Sequence, residues 1–343
     1  MTSTPTQASP LLISSDSHVS EPHDLWETRL PKALRDKAPK FRPREEFRPF
    51  DHPGAFDPSQ RLVEMTTDGV SGEVLYPTLG LTLFKMEDAP LQEACFHAYN
   101  EWLKEYCEAS TGPVYGIGMV PAYNIDRAIE ELEWCHKAGM PGIMLWQVPH
   151  PDLPFTSPHY DPLWQAAQDL NMPVSIHILT GFNYSATVRN NDIEASRDSV
   201  NRKTNDMMNS VFDFVFTGVL DRFPGLKIVI VEGEIGWMPF ILQQWDYYFH
   251  RFRKVRNLPI ELEPSEYFYR QMHLTFFNDA VGGQLLSSWG VDNCMWSNDY
   301  PHGNSPWPNS RDVLQRTIGH LPQDSLRKLV QDNVTKLYGL TLP

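Results

Sequence analysis

Cysteine is scarce in this chain. Four residues, Cys95, Cys107, Cys135 and Cys294, lie far apart without a C-x-x-C pair, which argues against a disulfide framework and against a cysteine-rich zinc site. They read as reduced, mostly buried thiols. No run approaches the roughly 18 uninterrupted apolar residues of a membrane span, and the opening MTSTPTQASP has neither the basic nor the apolar segment of a secretory signal. The expectation is a cytoplasmic protein, in which the sequons Asn183-Tyr184-Ser185 and Asn333-Val334-Thr335 count as chance. Basic residues are in deficit, 29 against 43 acidic for a formal net charge of −14. Such a chain has no global attraction to phosphate backbones or anionic lipid, so neither nucleic acid nor a membrane is expected as a partner. Also missing are the G-x-S-x-G elbow, the G-x-x-x-x-G-K-[ST] loop and the G-x-G-x-x-G fingerprint; Gly116-Ile117-Gly118 lacks the third glycine and opens no helix. Serine hydrolase, NTPase and dinucleotide enzyme are set aside.

What is present is a composition 41% hydrophobic and 21% charged over 343 residues, enough to build a sizeable core. Residues 1–10 read as a disordered tail and residues 11–343 as a single domain. Eight short β-branched runs recur: Leu11 to Ser15, Glu73 to Tyr76, Val114 to Val120, Gly142 to Trp146, Pro173 to His177, Lys227 to Val231, His273 to Phe276 and Asn293 to Ser297. Their spacing of about 40 residues accommodates a strand, a helix and two loops per step. Helical patterns fall between them, at Leu91 to Ala109 and at Asp126 to Ala138 with Gly139 as its C-terminal cap, and a further one closes the chain from Asp324 to Tyr338. An open doubly wound sheet shares this alternation, but eight units favour a (β/α)8 barrel.

Two intervals exceed the average, and they predict elaborated loops after strands one and five. The interval from Glu21 to Arg61 gathers eight basic residues between Arg29 and Arg48 against three acidic ones. It reads as a solvated loop or interface patch, with the alternative that Arg42, Arg44 or Arg48 reaches the barrel mouth and holds a substrate carboxylate. The interval from Thr180 to Gly218 is a candidate lid over the same mouth.

In a barrel of this kind the active site stands at the C-terminal ends of the strands. Asp16 and His18 follow the first run, His177 ends the fifth, Glu232 follows the sixth and Asp299 follows the eighth. Alternate residues of a strand share a side, so Asp16 and His18 can aim at one point. Taken singly, each has an ordinary explanation, such as a satisfied core histidine or an Asx-turn in Ser297-Asn298-Asp299-Tyr300-Pro301. Together at the ends of strands one, five and eight they suit one divalent cation. Zinc is the first expectation and manganese or another first-row ion the alternative, since mixed nitrogen and oxygen ligands do not choose among them.

The stretches ISSDSHVSEPHDLWETRLP, LDRFPGLKIVIVEGEIGWMP and MWSNDYPH, with Met65-Thr66-Thr67-Asp68-Gly69-Val70 and the closing DNVTKLYGL, resemble the amidohydrolase-related branch of the amidohydrolase superfamily. That group includes aminocarboxymuconate semialdehyde decarboxylase and γ-resorcylate decarboxylase. The resemblance runs from Leu11 to Leu340 and implies a distorted TIM barrel with one metal ion, its ligands falling on Asp16, His18, His177 and Asp299. Two positions depart from the pattern: Asp16 stands where the decarboxylases usually carry His or Glu, and Glu232 where they carry His.

The implied activity is metal-dependent decarboxylation of an aromatic or unsaturated acid bearing a neighbouring hydroxyl or carbonyl, with Asp299 moving the proton, Glu232 assisting and His177 completing the catalytic set. Hydrolysis of a lactone, ester or amide on the same metal is the alternative, and an inactive metal-binding scaffold the third reading. Trp26, Trp146, Phe182 and Trp237 are candidate pocket walls, and Glu21 and His302 candidate neighbours of the ligands or of the substrate. A homodimer or higher homo-oligomer is expected from the resemblance.

Overall fold

The computed structural model describes residues 10–42, 52–182, 193 and 201–342. Arg44 and Arg48, the expected tail at residues 1–9 and most of the first half of the Thr180 to Gly218 interval lie outside the described residues. Among the described residues there are eight strands: β1 (Ile13–Val19), β2 (Gly72–Pro77), β3 in two pieces (Val114–Gly116 and Gly118–Met119), β4 (Ile143–Leu145), β5 (Val174–His177), β6 (Ile228–Val231), β7 (Met272–Phe276) and β8 (Cys294–Trp296). Each pairs in parallel with the next in chain order.

The pairing switches sides smoothly at Ile117, whose N–H donates to the Leu75 carbonyl (2.9 Å) while that of Gly118 donates to Gly142 (3.2 Å). The ring closes between the last strand and the first. Asp299 N–H donates to the Asp16 carbonyl (3.0 Å) and His18 N–H to the Tyr300 carbonyl (2.6 Å), and the Ser15 hydroxyl donates to the Trp296 carbonyl (2.8 Å). This is the (β/α)8 barrel that the eight-unit spacing predicts.

The strands are short and buried on both faces, one by the barrel interior and one by helices; Ile228, Val229, Ile230 and Val231 all have no exposed surface, whereas β1 (ISSDSHV) buries mostly polar residues. Helix and strand meet closely where side chains are small. A Cβ on Gly118 would stand 2.3 Å from the Cys135 sulfur of the helix Ile125–Lys137, so only glycine allows that approach. This helix is capped as its sequence suggests, by the Asn124 side chain accepting from the N–H groups of Asp126 (3.1 Å) and Arg127 (3.3 Å), and it stops before Gly139 at φ 81°. The helix Ala89–Ala109 starts two residues earlier than its apolar spacing indicates, since Pro90 fits the first turn and Asp88 caps it.

The closing helix is not one regular α-helix. Gln323–Arg327 and Asn333–Tyr338 flank a π-helical turn at Lys328–Asp332. Just past that turn Asn333 donates to the Val291 (2.7 Å) and Cys294 (2.8 Å) carbonyls, fastening the closing DNVTKLYGL segment to the start of β8. Among its described residues the interval after β1 holds the helices Leu25–Arg29, Pro53–Phe56 and Pro58–Asp68. The second half of the interval after β5 is the helix Lys203–Phe216, whose Met207, Val211 and Phe214 repeat on one buried face. Among the described residues no helix is long and apolar enough to cross a membrane.

Candidate functional site

The site begins with a bulge. Ser14 pairs with Glu73 but Ser17 pairs with Leu75, so β1 holds one extra residue at Ser15 and Asp16. Such a bulge re-aims a side chain, and here β1 continues through Val19 rather than ending at Ser15. Asp16 and His18 therefore lie inside the strand. The serines around them bind β1 to the segment after β8: Ser17 donates to Asn298 Oδ1 (2.8 Å), and Asn298 N–H donates to Ser14 Oγ (3.0 Å).

Both histidines are oriented from behind. His18 Nδ1 stands 2.7 Å from the Pro77 carbonyl and His177 Nδ1 2.9 Å from the Ile178 carbonyl. A carbonyl only accepts, so each Nδ1 carries the proton and each Nε2 presents a lone pair. His18 Nε2 lies 3.4 Å from Asp16 Oδ1 and 3.4 Å from Asp299 Oδ1; His177 Nε2 lies 3.8 Å from Asp16 Oδ1 and 3.8 Å from Glu232 Oε2. Both oxygens of Asp16, both of Asp299 and the two Nε2 atoms are buried with no hydrogen-bond partner.

Six converging buried polar atoms without partners are costly to maintain. Donors about 2.1 Å from one first-row ion stand roughly 3.0 to 3.4 Å apart when adjacent and about 4.2 Å when opposite; the 3.4 Å pairs match adjacent donors and the 3.8 Å pairs lie between the two limits. Asp16, His18 and His177 form one donor group, and His18, Glu232, Asp299 and His302 a second that shares His18. Backbone strain accompanies them: Glu232 (φ 58°) and Asp299 (φ 50°) adopt the left-handed region, unfavourable for residues with a Cβ and characteristic of functional sites.

The carboxyl groups repel one another, while His177, which burial would lower, is raised by Asp16 and Glu232 beside it. Burial, then the Asp16 carboxylate, pushes Asp299 well above the usual carboxylate range. Burial, then Asp299, pushes Glu232 up to about 7. His18 is held well below the ordinary imidazole value by burial and the neighbouring His302 and His177, and burial lowers His302 to about 4. Neutral imidazoles are the form a metal requires.

His302 stacks on the His18 ring at 3.8 Å between centroids, with Nδ1 2.9 Å from Asp299 Oδ1 and Nε2 3.2 Å from the Thr78 hydroxyl. It thus belongs to the cluster. Glu21 does not face it: its carboxylate accepts the backbone N–H groups of Thr78 (3.2 Å), Leu79 (2.9 Å) and Gly80 (2.9 Å), fixing the loop after β2. The substrate role expected of Glu21 gives way to this loop-holding one. The same holds for Trp26, whose buried indole donates to the Cys95 carbonyl (3.0 Å) behind the barrel, and for Trp146, which donates to the Tyr160 hydroxyl (3.1 Å). Trp237 is part-buried and donates to the Gly233 carbonyl (2.8 Å). Phe182 packs edge-on against His150, 5.3 Å away. Of the basic cluster, Arg29 pairs with Glu105 and Lys37 with Asp88 on the surface, and Arg42 is exposed.

Sequence reasoning missed three supports. Lys203 opens its helix with Nζ 3.5 Å from Glu232 Oε1. Arg61, fully buried, donates to Glu73 Oε2 (2.5 Å) and to the His18 carbonyl (2.8 Å). Asp68 of Met65-Thr66-Thr67-Asp68-Gly69-Val70 accepts from Asn298 Nδ2 (3.2 Å) and Ser310 N–H (2.9 Å), while Gly69 at φ 74° ends the helix behind it. The motif is a clamp on the segment that carries Asp299.

A cavity of about 370 Å³ lies between the loop after β4 and the helix Lys203–Phe216, lined by Gln147, His150, Asp206, Asn209, Ser210 and Asp213, with none of the converging donors in its wall. Burial pushes the Asp213 carboxyl up to about 6. A carboxyl raised above its unfolded value favours folding when protonated, so its stabilising protonation is lost as pH rises from about 4 through 6. Asp213→Asn is expected to raise stability by about 1–2 kcal/mol at pH 7.5, after discounting for partial exposure, and by little at pH 4. Urea unfolding at the two pH values checks this; an equal effect at both would contradict it.

The fold and donor set define a (β/α)8 barrel with a candidate divalent-cation site at the C-terminal ends of its strands. The chain belongs to the amidohydrolase family, whose family model matches residues 51–340. Among solved structures it is similar to an amidohydrolase from Mycobacterium avium subsp. paratuberculosis K-10, with 19% identity, a TM-score of 0.79 and coverage of 97% of this chain and 100% of that one. It is also similar to 5-carboxyvanillate decarboxylase from Sphingomonas paucimobilis, at 21% identity, TM-score 0.75 and coverage of 97% and 100%. A third is 5-carboxyvanillate decarboxylase from Novosphingobium aromaticivorans DSM 12444, complexed with manganese and 4-hydroxy-3-methoxy-5-nitrobenzoic acid, at 18% identity, TM-score 0.75 and coverage of 96% of each chain. No curated protein matches.

Proposed function

We propose that the protein is a metal-dependent decarboxylase of an aromatic or unsaturated carboxylic acid with an adjacent hydroxyl or oxo group. The observation that carries this is the convergence of six partnerless buried donor atoms at the barrel mouth, beside two carboxyl groups whose burial favours holding a proton. Asp16, His18, His177 and Asp299 would hold the ion, which when bound supplies a Lewis acid that draws charge from substrate oxygens. The mixed donors accept zinc, and manganese in a similar barrel with a nitrobenzoic acid supports that ion equally.

Asp299, with Glu232 beside it, delivers a proton to the carbon bearing the carboxylate; the electron pair of the breaking carbon–carbon bond restores the unsaturated system as CO2 leaves. His302, stacked on His18 and touching Asp299, keeps the proton-carrying oxygen in place. The partner is a small carboxylic acid, and a homodimer is the proposed assembly. A second reading, hydrolysis of a lactone, ester or amide, draws on Glu232: a carboxylate 3.8 Å from His177 Nε2 is a proton acceptor suited to activating water. A bare scaffold has no use for the converging set.

The two chemistries separate in one assay. Protein loaded with zinc or manganese is expected to release CO2 from a panel of hydroxybenzoates and carboxymuconate-like acids. No CO2 from any of them, with opening of lactones or amides, would replace decarboxylation by hydrolysis.

A further inference from the structure

We infer that Lys203 is the specificity residue that binds the substrate's carboxylate. The inference rests on the proposed decarboxylase reading for the class of substrate, and on the charge of the site for the residue. Asp16, Asp299 and Glu232 bring three carboxyl groups to one water-excluded point. A substrate carboxylate brought beside them calls for a cation within reach, because solvent screens poorly there. Of the ion pairs among the described residues, the one that brings a lysine or arginine side chain to this cluster is Lys203 with Glu232, Nζ to Oε1 at 3.5 Å.

The placement suits a ligand-binding cation. Arg61, the other nearby cation, is fully buried and occupied by Glu73 and by the His18 carbonyl, so it cannot meet an incoming acid. Lys203 retains 28% of its side-chain surface and sits at the start of a helix fixed from below. Met207, one turn on, is buried beside Gly233, and the Ser210 hydroxyl, one further turn on, donates to the Gln147 carbonyl (3.0 Å). The ammonium thus stands at the rim with its helix anchored, and its 3.5 Å separation from Glu232 leaves room for a substrate oxygen to compete for it. Lysine is a point charge that turns readily from one carboxylate to another. Glu232 holds it in the absence of substrate, and a substrate carboxylate takes over part of that contact.

Binding is read without turnover, so absent CO2 release would remove decarboxylation and leave this assignment standing. Manganese-loaded wild type, Lys203→Met and Lys203→Arg are titrated calorimetrically with 2-hydroxybenzoate and with neutral 2-hydroxybenzamide, with metal content measured alongside. Loss of one charge-assisted contact corresponds to about tenfold or more in affinity. Wild type is expected to prefer the benzoate, Lys203→Met to lose that preference by tenfold or more with the benzamide unchanged and one equivalent of metal retained, and Lys203→Arg to keep most of it. Lys203→Gln serves as the neutral variant should Lys203→Met fail to fold. Equal benzoate affinity in the wild type and a folded neutral variant, or no preference for the benzoate in wild type, overturns the assignment.

Discussion

Replacing His177 or Asp299 by alanine is expected to strip the protein of a stoichiometric divalent ion and to lower kcat/KM by on the order of 10³-fold or more, since even partners behind the ligands cost about 10- to 100-fold. Each change removes a donor whose free atoms face the same point: His177 Nε2, 3.8 Å from Asp16 Oδ1, and the two oxygens of Asp299. Metal analysis of dialysed protein gives the first readout and turnover the second. The stability of Asp299→Ala in the metal-free state should be equal to or greater than that of wild type, because it deletes a carboxylate that Asp16 repels. One equivalent of ion retained in both variants would remove these residues from the ligand set.

Arg61→Met is expected to cost about 3–5 kcal/mol of stability, the range for breaking a fully buried ion pair from one side. The guanidinium has no exposed surface, donates to Glu73 Oε2 at 2.5 Å and to the His18 carbonyl at 2.8 Å, and lies 4.7 Å from the centre of the Tyr300 ring. Its removal strands the Glu73 carboxylate in the wall of the barrel and frees the backbone of a donor residue. Urea unfolding should show the loss. The double variant Arg61→Met, Glu73→Leu should recover most of it, because the stranded charge is then gone. A single variant within about 1 kcal/mol of wild type would show that water reaches Glu73 and that the pair is not the strut described.

Much of the barrel was legible because its strands are short runs with both faces buried, most of them rich in apolar residues, as Ile228 to Val231 illustrate. A period-two or period-3.6 pattern was not needed, only short runs at even spacing. The convergence of Asp16, His18, His177, Glu232 and Asp299 was legible for a similar reason: polar residues at the end of such a run, or within three residues past it, lie at the rim. The bulge that turns Asp16 was not, since it depends on Ser14 and Ser17 both bonding to Asn298, a residue 284 positions from Ser14. Glu21 was misread because its partners are backbone N–H groups of residues 78–80, which leave no signature in side-chain identity. Lys203 lies in an interval whose helical half has its apolar face interrupted by Ser210 and Asn209, and nothing local marks a lysine as adjacent to a carboxylate 29 positions on.

The bonds that close the barrel have a consequence for the order in which this protein becomes itself. The carbonyl that receives the Asp299 N–H belongs to Asp16, and the N–H of His18 reaches Tyr300, so three of the four proposed ligand residues are also stitches of the closing seam. A ribosome releases the first of these strands early and the last near the end of synthesis. Until then the N-terminal strand has no eighth neighbour, and the candidate donors of the first and last strands stand apart. Closure of the ring and assembly of the candidate donor set are therefore one late event.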